Sequence, residues 1–186
     1  AGVMLQLLYL ATSYLIGTFM TAYFVGKWNG VNLQQVNSSN LGARNAGRAL
    51  GEFAFFVTVI GDGGKGIVVV LLGRYLDVSE FALTVGILFV VLGHLYPFWL
   101  KFKGGKGIAT GIGALLAFSP ILLLALIAGF IVSLPFTKSL TISMVVGFFT
   151  YSIYILVTGK FELLLLIVML LLLTFKHREN LRERVK

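Results

Sequence analysis

The sequence contains no cysteine, only two histidines and few charged residues. The absence of cysteine excludes disulfides, thiol nucleophiles and thiolate metal sites, and two histidines argue against a histidine metal cluster. Charged residues make up 12% of the chain, whereas a soluble domain has roughly a quarter. The chain is also too hydrophobic to be intrinsically disordered, because disorder requires low hydrophobicity. These absences exclude a disordered chain and argue against an ordinary cytosolic domain.

What the chain has instead is apolar sequence. Of its 186 residues, 58% are hydrophobic, and the mean hydropathy is +0.96. At about 20 residues per membrane span, this length allows roughly six or seven spans. The first apolar run follows no basic region and is too long for a signal peptide, so we expect it to be a span. We predict a single all-α integral membrane domain over residues 1–186, with apolar stretches at 3–26, 53–73, 81–100, 107–134, 140–157 and 161–175.

The positive charges discriminate between six and seven spans, because cytoplasmic loops of membrane proteins are enriched in lysine and arginine. Six spans place seven positive charges on each side, with Lys65 left out because it lies inside a span. A break at Ser119–Pro120, where proline disfavours a continuous helix, gives seven spans and 12 charges against two. We therefore predict about seven transmembrane helices, with the N-terminus outside and the C-terminus cytoplasmic.

This break implies that some helices are short or broken. Residues 107–118 would be about 18 Å long as a helix, too short for a hydrocarbon core of about 30 Å. We expect a short, tilted or partly buried half-helix there, covered by protein or lining a cavity. The net charge of +8 is then explained by membrane topology, and we predict no nucleic-acid partner.

A first polar cluster lies in the loop between the first two spans. Its amides and hydroxyls can form hydrogen bonds, its arginines suit phosphate, and its glycine allows a ligand close to the backbone. The alternative is a polar loop with topology-setting arginines and a helix cap. The candidate substrate-binding residues are Ser38, Asn40, Gly42, Arg44, Asn45 and Arg48.

A second cluster surrounds Lys106 and leads into the predicted half-helix. Free backbone amides at a helix start, together with a lysine, can bind an anion. The alternative is close helix packing through small residues such as Gly107 and Gly111. We predict phosphate binding, with Lys106 accompanied by Gly104, Gly105, Gly107 and Thr110.

The pentapeptide Gly-Gly-Lys-Gly-Ile occurs at 104–108 and also at 63–67, inside the second apolar stretch. Two such elements suggest a hypothesis of two phosphate sites. The alternative for the first copy is that Asp62 and Lys65 pair across one helical turn and only neutralise charge within the membrane.

A third cluster begins the C-terminal tail. If this tail is helical, His177, Asn180 and Arg184 share one face. A histidine there can move protons or bind phosphate when charged, whereas the alternative is a basic tail that anchors the last span. His94 is a secondary candidate because it lies within two turns of the second cluster.

The three motifs in this order resemble those of the bacterial membrane glycerol-3-phosphate acyltransferases that use acyl phosphate, the PlsY family. The resemblance covers nearly the whole chain and includes Gly93–His94 with Pro97, and Glu179 and Arg182 in the tail. In the first motif, Ser39 stands where the family pattern has glycine, and Arg44 stands where it has threonine.

This resemblance implies a seven-helix enzyme of the bacterial cytoplasmic (inner) membrane with its active site on the cytoplasmic side. It would transfer a fatty acyl group from acyl phosphate to the 1-hydroxyl of glycerol 3-phosphate, giving lysophosphatidic acid and phosphate, in the first acylation step of phospholipid synthesis. Acyl-CoA and acyl carrier protein would not be donors. Its partners would be the two substrates, the lipid bilayer and the soluble enzyme that forms acyl phosphate.

The residues suit this reaction without a cofactor or metal, because acyl phosphate already carries a good leaving group. Lys106, the glycine amides and Arg48 would neutralise phosphate charge, and Ser38, Asn40 and Asn45 would orient glycerol 3-phosphate. His177 and Asn180 would complete the catalytic set. The general base is either His177 or an oxygen of the substrate phosphate.

The rival interpretation is a small transporter or flippase for a phosphorylated solute. It requires polar residues at mid-membrane depth, for which Asp62 and Lys65 are the candidates. A CDP-alcohol phosphotransferase is a weaker rival, because the aspartate-rich metal motif that it needs is absent from the sequence.

Overall fold

The structure is a computed structural model that describes residues 1–159 and 164–178. Every regular element within those residues is helical, which confirms the predicted all-α class. The elements are α1 (Val3–Gly17), α2 (Thr21–Trp28), α3 (Ala43–Leu50), α4 (Glu52–Tyr75), α5 (Glu80–Leu95), a 3-10 turn (Phe98–Leu100), α6 (Ile108–Phe118), α7 (Pro120–Thr137), α8 (Leu140–Thr158) and α9 (Leu164–Lys176).

Five segments in the described part of the chain are long and apolar enough to cross a membrane. They are Val3–Trp28, Glu52–Tyr75, Glu80–Leu100, Pro120–Thr137 and Leu140–Thr158. Two shorter apolar helices, Ile108–Phe118 and Leu166–Lys176, accompany them. Large apolar side chains such as Leu8, Ile131 and Phe149 are more than half exposed on the outside of these helices, as expected for a surface that faces lipid.

The predicted break in the long fourth stretch is confirmed. α6 ends at Phe118, and α7 begins at Pro120 with Ser119 as its N-cap residue. The first position of a helix suits proline, which has no amide hydrogen to donate. Arg74, in the last turn of α4, donates to the Phe118 carbonyl at 2.6 Å. It thus supplies a hydrogen-bond donor to a carbonyl at the C-terminal end of α6, which has no partner within the helix. The result is an 11-residue half-helix.

A second break interrupts the first membrane segment, and the sequence did not predict it. α1 ends at Gly17 and α2 starts at Thr21. No proline lies in this segment; instead, Gly17 packs closely against the backbone of Val90 and Gly93 in α5. At the break, the backbone carbonyls of Gly17 and Phe19 point into the protein interior, where both accept hydrogen bonds from the buried Lys65.

α5 lies at the centre of the bundle, in contact with α1, α4, α6 and α9. Its residues Ile87, Val90 and Val91 are fully buried in the main apolar core. α4 and α6 pack through glycines, since a Cβ on Gly66 would overlap the Thr110 carbonyl and one on Gly113 would overlap Gly63. This central packing places the N-terminal end of α6 beside the C-terminal ends of α5 and α9.

Candidate active site

Asn45 holds the first loop in place from its buried side. It is 1% exposed, and its Nδ2 donates to the carbonyls of Leu33 at 2.8 Å, Val36 at 3.2 Å and Asn40 at 3.0 Å. The sequence predicts that Asn45 orients substrate, but these bonds commit its amide nitrogen to the loop backbone. Asn45 therefore shapes the surface on which a substrate would lie.

The upper surface of this loop carries the other candidates. Ser38 and the two arginines, Arg44 and Arg48, are exposed, and Asn40 is half-buried. Gly42 is the N-cap of α3, and a Cβ there would come 2.7 Å from Asn40 Nδ2. The loop thus presents polar groups and two guanidinium groups on one short segment.

Ser39 has a φ of 55°, in the left-handed region that favours glycine. The family pattern has glycine at this position, and glycine adopts a positive φ without steric cost. In this chain serine adopts that conformation instead.

The second loop is fixed to the end of α5. The amide of Gly104 donates to the Leu95 carbonyl and that of Gly105 to the His94 carbonyl, both at 3.1 Å. A Cβ on Gly105 would overlap His94 Nε2 and lie 2.5 Å from the Leu41 carbonyl oxygen. The expectation that these two amides are free for phosphate is therefore wrong, because both are used within the protein.

The remaining candidates for anion binding in this loop are Lys106 and the start of α6. Lys106 is half-buried, and the next residue, Gly107, is the N-cap of α6 with a φ of 83°. The first amides of a helix have no acceptor within it and lie at the positive end of its dipole. Lys106 and these amides are therefore the predicted phosphate-binding groups of this loop.

α9 brings the third motif to the same place. Leu173 packs on α6, 2.8 Å from a Cβ placed on Gly107 and 3.3 Å from one placed on Gly111. One turn later, His177 is 8% exposed, and its Nδ1 is 2.8 Å from the Leu173 carbonyl oxygen. A carbonyl only accepts, so Nδ1 carries the proton and Nε2 of neutral His177 is left as an acceptor.

The surroundings of His177 keep it neutral. It follows α9, outside the membrane-spanning part of that helix. Burial lowers the pKa of its imidazole, and the positive charges of Lys106 and Arg44 lower it further, while the bond to the Leu173 carbonyl acts in the opposite direction. The Leu41 carbonyl of the first loop lies against Gly105, and Leu173 of α9 lies against Gly107, so segments from the three predicted motifs meet at one place.

The remaining predicted residues are Thr110 and Asn180. Thr110 is fully buried, and its carbonyl lies against Gly66, so its predicted role in phosphate binding gains no support from the packing. Asn180 lies outside the described residues, as do Glu179 and Arg182 of the tail motif.

The first copy of the glycine–lysine pentapeptide has a different role from the second. Lys65 is 6% exposed, and its Nζ donates to the carbonyls of Gly17 and Phe19. The hypothesis of a phosphate site at this copy is wrong, because the lysine is enclosed and satisfied by the protein. Asp62 lies 3.8 Å away on the same helix, as the pairing alternative predicted.

His94 completes this buried cluster, and the sequence analysis missed that role. Its Nδ1 is 2.7 Å from Lys65 Nζ. The sequence showed Asp62 and Lys65 as a pair, but only the packing of α4 on α5 brings the histidine to them. Among residues 1–159 and 164–178, no three His, Cys, Asp or Glu side chains are grouped so that they could hold a metal ion.

Known proteins share both the sequence pattern and this fold. The sequence model described as glycerol-3-phosphate acyltransferase matches residues 7–186. The chain is 45% identical to glycerol-3-phosphate acyltransferase 1 of Bacillus cereus over 138 residues. These residues cover 74% of this chain and 76% of the relative. It is 35% identical over 182 residues to the Bacillus subtilis glycerol-3-phosphate acyltransferase, covering 97% and 94% of the two chains.

A solved structure has the same arrangement of helices. The crystal structure of PlsY (YgiH), an integral membrane glycerol 3-phosphate acyltransferase, in its glycerol 3-phosphate form matches with a TM-score of 0.86 and 30% identity, covering 97% of this chain and 92% of that one. Its lysophosphatidic acid form matches with a TM-score of 0.84 and 28% identity. The fold and the site thus define an integral membrane acyltransferase. Specifically, the chain belongs to the glycerol-3-phosphate acyltransferase family of the PlsY type.

Proposed function

We propose that this protein transfers a fatty acyl group from acyl phosphate to the 1-hydroxyl of glycerol 3-phosphate, giving lysophosphatidic acid and inorganic phosphate. The observation that carries the proposal is that the three motif segments meet: Leu41 lies against Gly105, and Leu173, which accepts the His177 hydrogen bond, lies against Gly107. Family membership supports glycerol 3-phosphate as the acceptor, and the cluster of positive charge suits two phosphorylated substrates.

The reaction asks the protein for positioning and charge neutralisation. The glycerol hydroxyl attacks the acyl carbon, a new ester bond forms, and the bond from the acyl carbon to the phosphate oxygen breaks. Lys106 and the first amides of α6 stabilise the charge that develops on the departing phosphate. Because phosphate is already a good leaving group, no acyl-enzyme intermediate is needed, which suits a chain without cysteine.

Glycerol 3-phosphate lies on the first loop in this proposal. The exposed guanidinium groups of Arg44 and Arg48 bind its phosphate in a forked geometry. Ser38 and Asn40 orient its glycerol hydroxyls, and Asn180 closes the site from the tail. Holding both substrates in one orientation converts a bimolecular reaction into an effectively intramolecular one.

The proton of the attacking hydroxyl passes to one of two acceptors. His177 offers Nε2, which is unprotonated in the tautomer fixed by the Leu173 carbonyl. An oxygen of a substrate phosphate is the alternative, because a phosphate monoester has a second pKa near 6. Burial and the neighbouring positive charges keep His177 neutral, which favours Nε2 as a hydrogen-bond acceptor.

The membrane sets where the reaction takes place. We propose that the three motifs face the cytoplasm of a bacterial cell at the inner membrane, with the acyl chain remaining in lipid. The soluble enzyme that forms acyl phosphate then supplies the donor from the same side. The charge distribution that predicted seven spans supports this orientation.

A phosphate-release assay tests the proposal. Purified protein in detergent is given a long-chain acyl phosphate with and without glycerol 3-phosphate, and phosphate and lysophosphatidic acid are measured. Release that depends on glycerol 3-phosphate is expected, with no transfer from acyl-CoA or acyl carrier protein. A folded sample that releases no phosphate contradicts the proposal. Uptake of a phosphorylated solute into proteoliposomes without such release would instead favour a transporter, although Asp62 and Lys65, which that rival needs, are buried and paired.

A further inference from the structure

The buried cluster around Lys65 connects the two loops of the candidate site. Lys65 Nζ contacts the Gly17 carbonyl at 2.8 Å, the Phe19 carbonyl at 2.7 Å and His94 Nδ1 at 2.7 Å. A lysine ammonium has three hydrogens to donate. The three acceptors within 2.8 Å match these three hydrogens, and Met20 Sδ at 3.9 Å and the counter-charge of Asp62 Oδ1 at 3.8 Å are longer contacts.

This arrangement fixes the state of His94. Since the ammonium can only donate, His94 Nδ1 must accept, and the proton of the neutral ring lies on Nε2. The ring is buried at the C-terminal end of α5. Lys65 thus determines both the tautomer of His94 and the orientation of its ring.

His94 supports the loop that carries Lys106. Its carbonyl accepts from the Gly105 amide at 3.1 Å, and its Nε2 occupies the space that a Cβ on Gly105 would need. The loop therefore rests on His94 through both its backbone carbonyl and its ring. A change in the His94 rotamer would displace the Gly104–Gly105 turn, and with it Lys106.

On its other side, the Lys65 cluster contacts the break in the first membrane segment. The Gly17 and Phe19 carbonyls belong to the interruption between α1 and α2, and Trp99 Nε1 donates to the neighbouring Thr18 carbonyl at 2.9 Å. α2 leads into the first loop, and Trp99 precedes the second. The two loops therefore share one buried anchoring point.

We propose that Lys65 is a positioning residue for acyl transfer: through His94 it fixes the Gly104–Gly105 turn and thereby the position of Lys106. Its kinetic consequence rests on the proposed function, whereas its effect on the turn does not. The competing explanation is that Lys65 only neutralises Asp62 inside the membrane.

Paired variants separate these explanations. Lys65→Met alone leaves the Asp62 carboxylate unpaired, whereas Asp62→Asn/Lys65→Met removes both charges. If Lys65 only neutralises charge, the double variant recovers wild-type activity, which overturns the proposal. If Lys65 positions the loop, the double variant keeps a kcat lowered roughly 100-fold, the loss that a small misplacement of catalytic groups causes, with the KM for glycerol 3-phosphate little changed.

Hydrogen–deuterium exchange tests the turn without relying on activity. In the double variant, peptides that contain Gly104 and Gly105 should exchange at least about tenfold faster than in the wild type, while peptides across the Ser119–Pro120 break stay unchanged. Unchanged exchange at Gly104 and Gly105 overturns the proposal whatever the kinetics show. If the wild type has no acyl-transfer activity, the proposed function fails, and the exchange result still tests the positioning role.

A second pair keeps the test decisive if the Lys65 variants fail to fold. His94→Asn retains an acceptor near the position of Nδ1, whereas His94→Leu keeps the volume and removes it. His94→Asn should retain at least about tenfold more kcat and slower exchange at Gly105 than His94→Leu. Equal kcat and equal exchange in the two variants would show that the Lys65–His94 bond has no positioning role.

Discussion

Gly66 in α4 lies directly against the backbone carbonyl of Thr110 in α6, with no space for a side chain between them. The neighbouring Gly63 meets Gly113 in the same interface. The first glycine–lysine pentapeptide is therefore a helix-packing element, although its letters match those of the loop around Lys106. The same five residues serve two purposes because one copy lies within a helix and the other precedes one.

This packing predicts opposite effects of alanine at two nearby glycines. Gly66→Ala should destabilise the protein by about 1–3 kcal/mol, because its methyl group would overlap the α6 backbone. Gly64→Ala should stabilise it by about 0.5–1 kcal/mol, since alanine favours a helix and no described atom lies within 4 Å of a Cβ there. Thermal unfolding in one detergent measures both, and a Gly66→Ala variant as stable as Gly64→Ala would contradict the interface.

The Asn45 contacts predict that a change from amide to carboxylate is harmful. Asn45→Asp should cost about 3 kcal/mol or more, because a buried acceptor would face three carbonyls that Nδ2 now satisfies. Asn32→Asp is the matched control, since Asn32 Oδ1 already accepts from the Gln34 amide at 3.0 Å and a carboxylate keeps that bond. The midpoint of thermal unfolding should fall for Asn45→Asp alone. Equal midpoints in the two variants would show that the Asn45 amide does not hold the first loop in place.

The lysines of the second loop should differ in their effect on catalysis. Lys106→Met should lower kcat/KM by roughly 100-fold or more, the usual effect of removing a group that stabilises transition-state charge. Lys103→Met should remain near the wild type, because Lys103 is exposed and the hydrogen bonds that the structure shows for it are made by its backbone, which any residue retains: its carbonyl accepts from Gln34 and its amide donates to the Leu100 carbonyl. Phosphate release at varied substrate concentrations distinguishes the two. Similar losses in both variants would mean that the loop acts only through its overall charge.

The environment of His177 predicts how activity depends on pH. Because its pKa lies below the ordinary 6.5, the imidazole is neutral at pH 7, and kcat/KM should fall only as the pH drops through the lowered pKa. The stability that depends on a neutral His177 is complete above pH 6.5 and is lost as the pH falls below it, since the unfolded state then binds the proton more readily.

The variant His177→Gln tests whether that proton matters for the chemistry. We expect kcat/KM to fall roughly 100-fold, within the range of a general base, and the fall at acidic pH to disappear from the pH–rate profile. If the profile keeps the same acidic fall, the proton passes to the substrate phosphate, and His177 acts by binding. Unfolding in the same buffers separates loss of activity from loss of folded protein.

Local signals in the chain were enough for much of the architecture. The break at Ser119–Pro120 was predictable because proline restricts its own backbone and that of the preceding residue. The break at Thr18–Met20 was not, because its partners, Lys65 and the α5 backbone that packs on Gly17, lie more than 40 residues further along the chain. Polar residues in an apolar chain marked Arg44, Lys106 and His177 as candidates, since such residues are costly in a membrane.

Composition, the scarcity of charge and the motifs therefore determined the helical membrane class, the family resemblance and most of the candidate residues. The physical reason is that a segment in lipid must satisfy its own backbone, so its secondary structure follows from local sequence. The tertiary structure alone decided which candidate side chains are exposed on the loops and which hold the loops in place. It turned Asn45 inward, used the Gly104 and Gly105 amides within the protein, and joined Lys65 to His94. These roles depend on contacts between helices that are distant in sequence, and local sequence does not encode them.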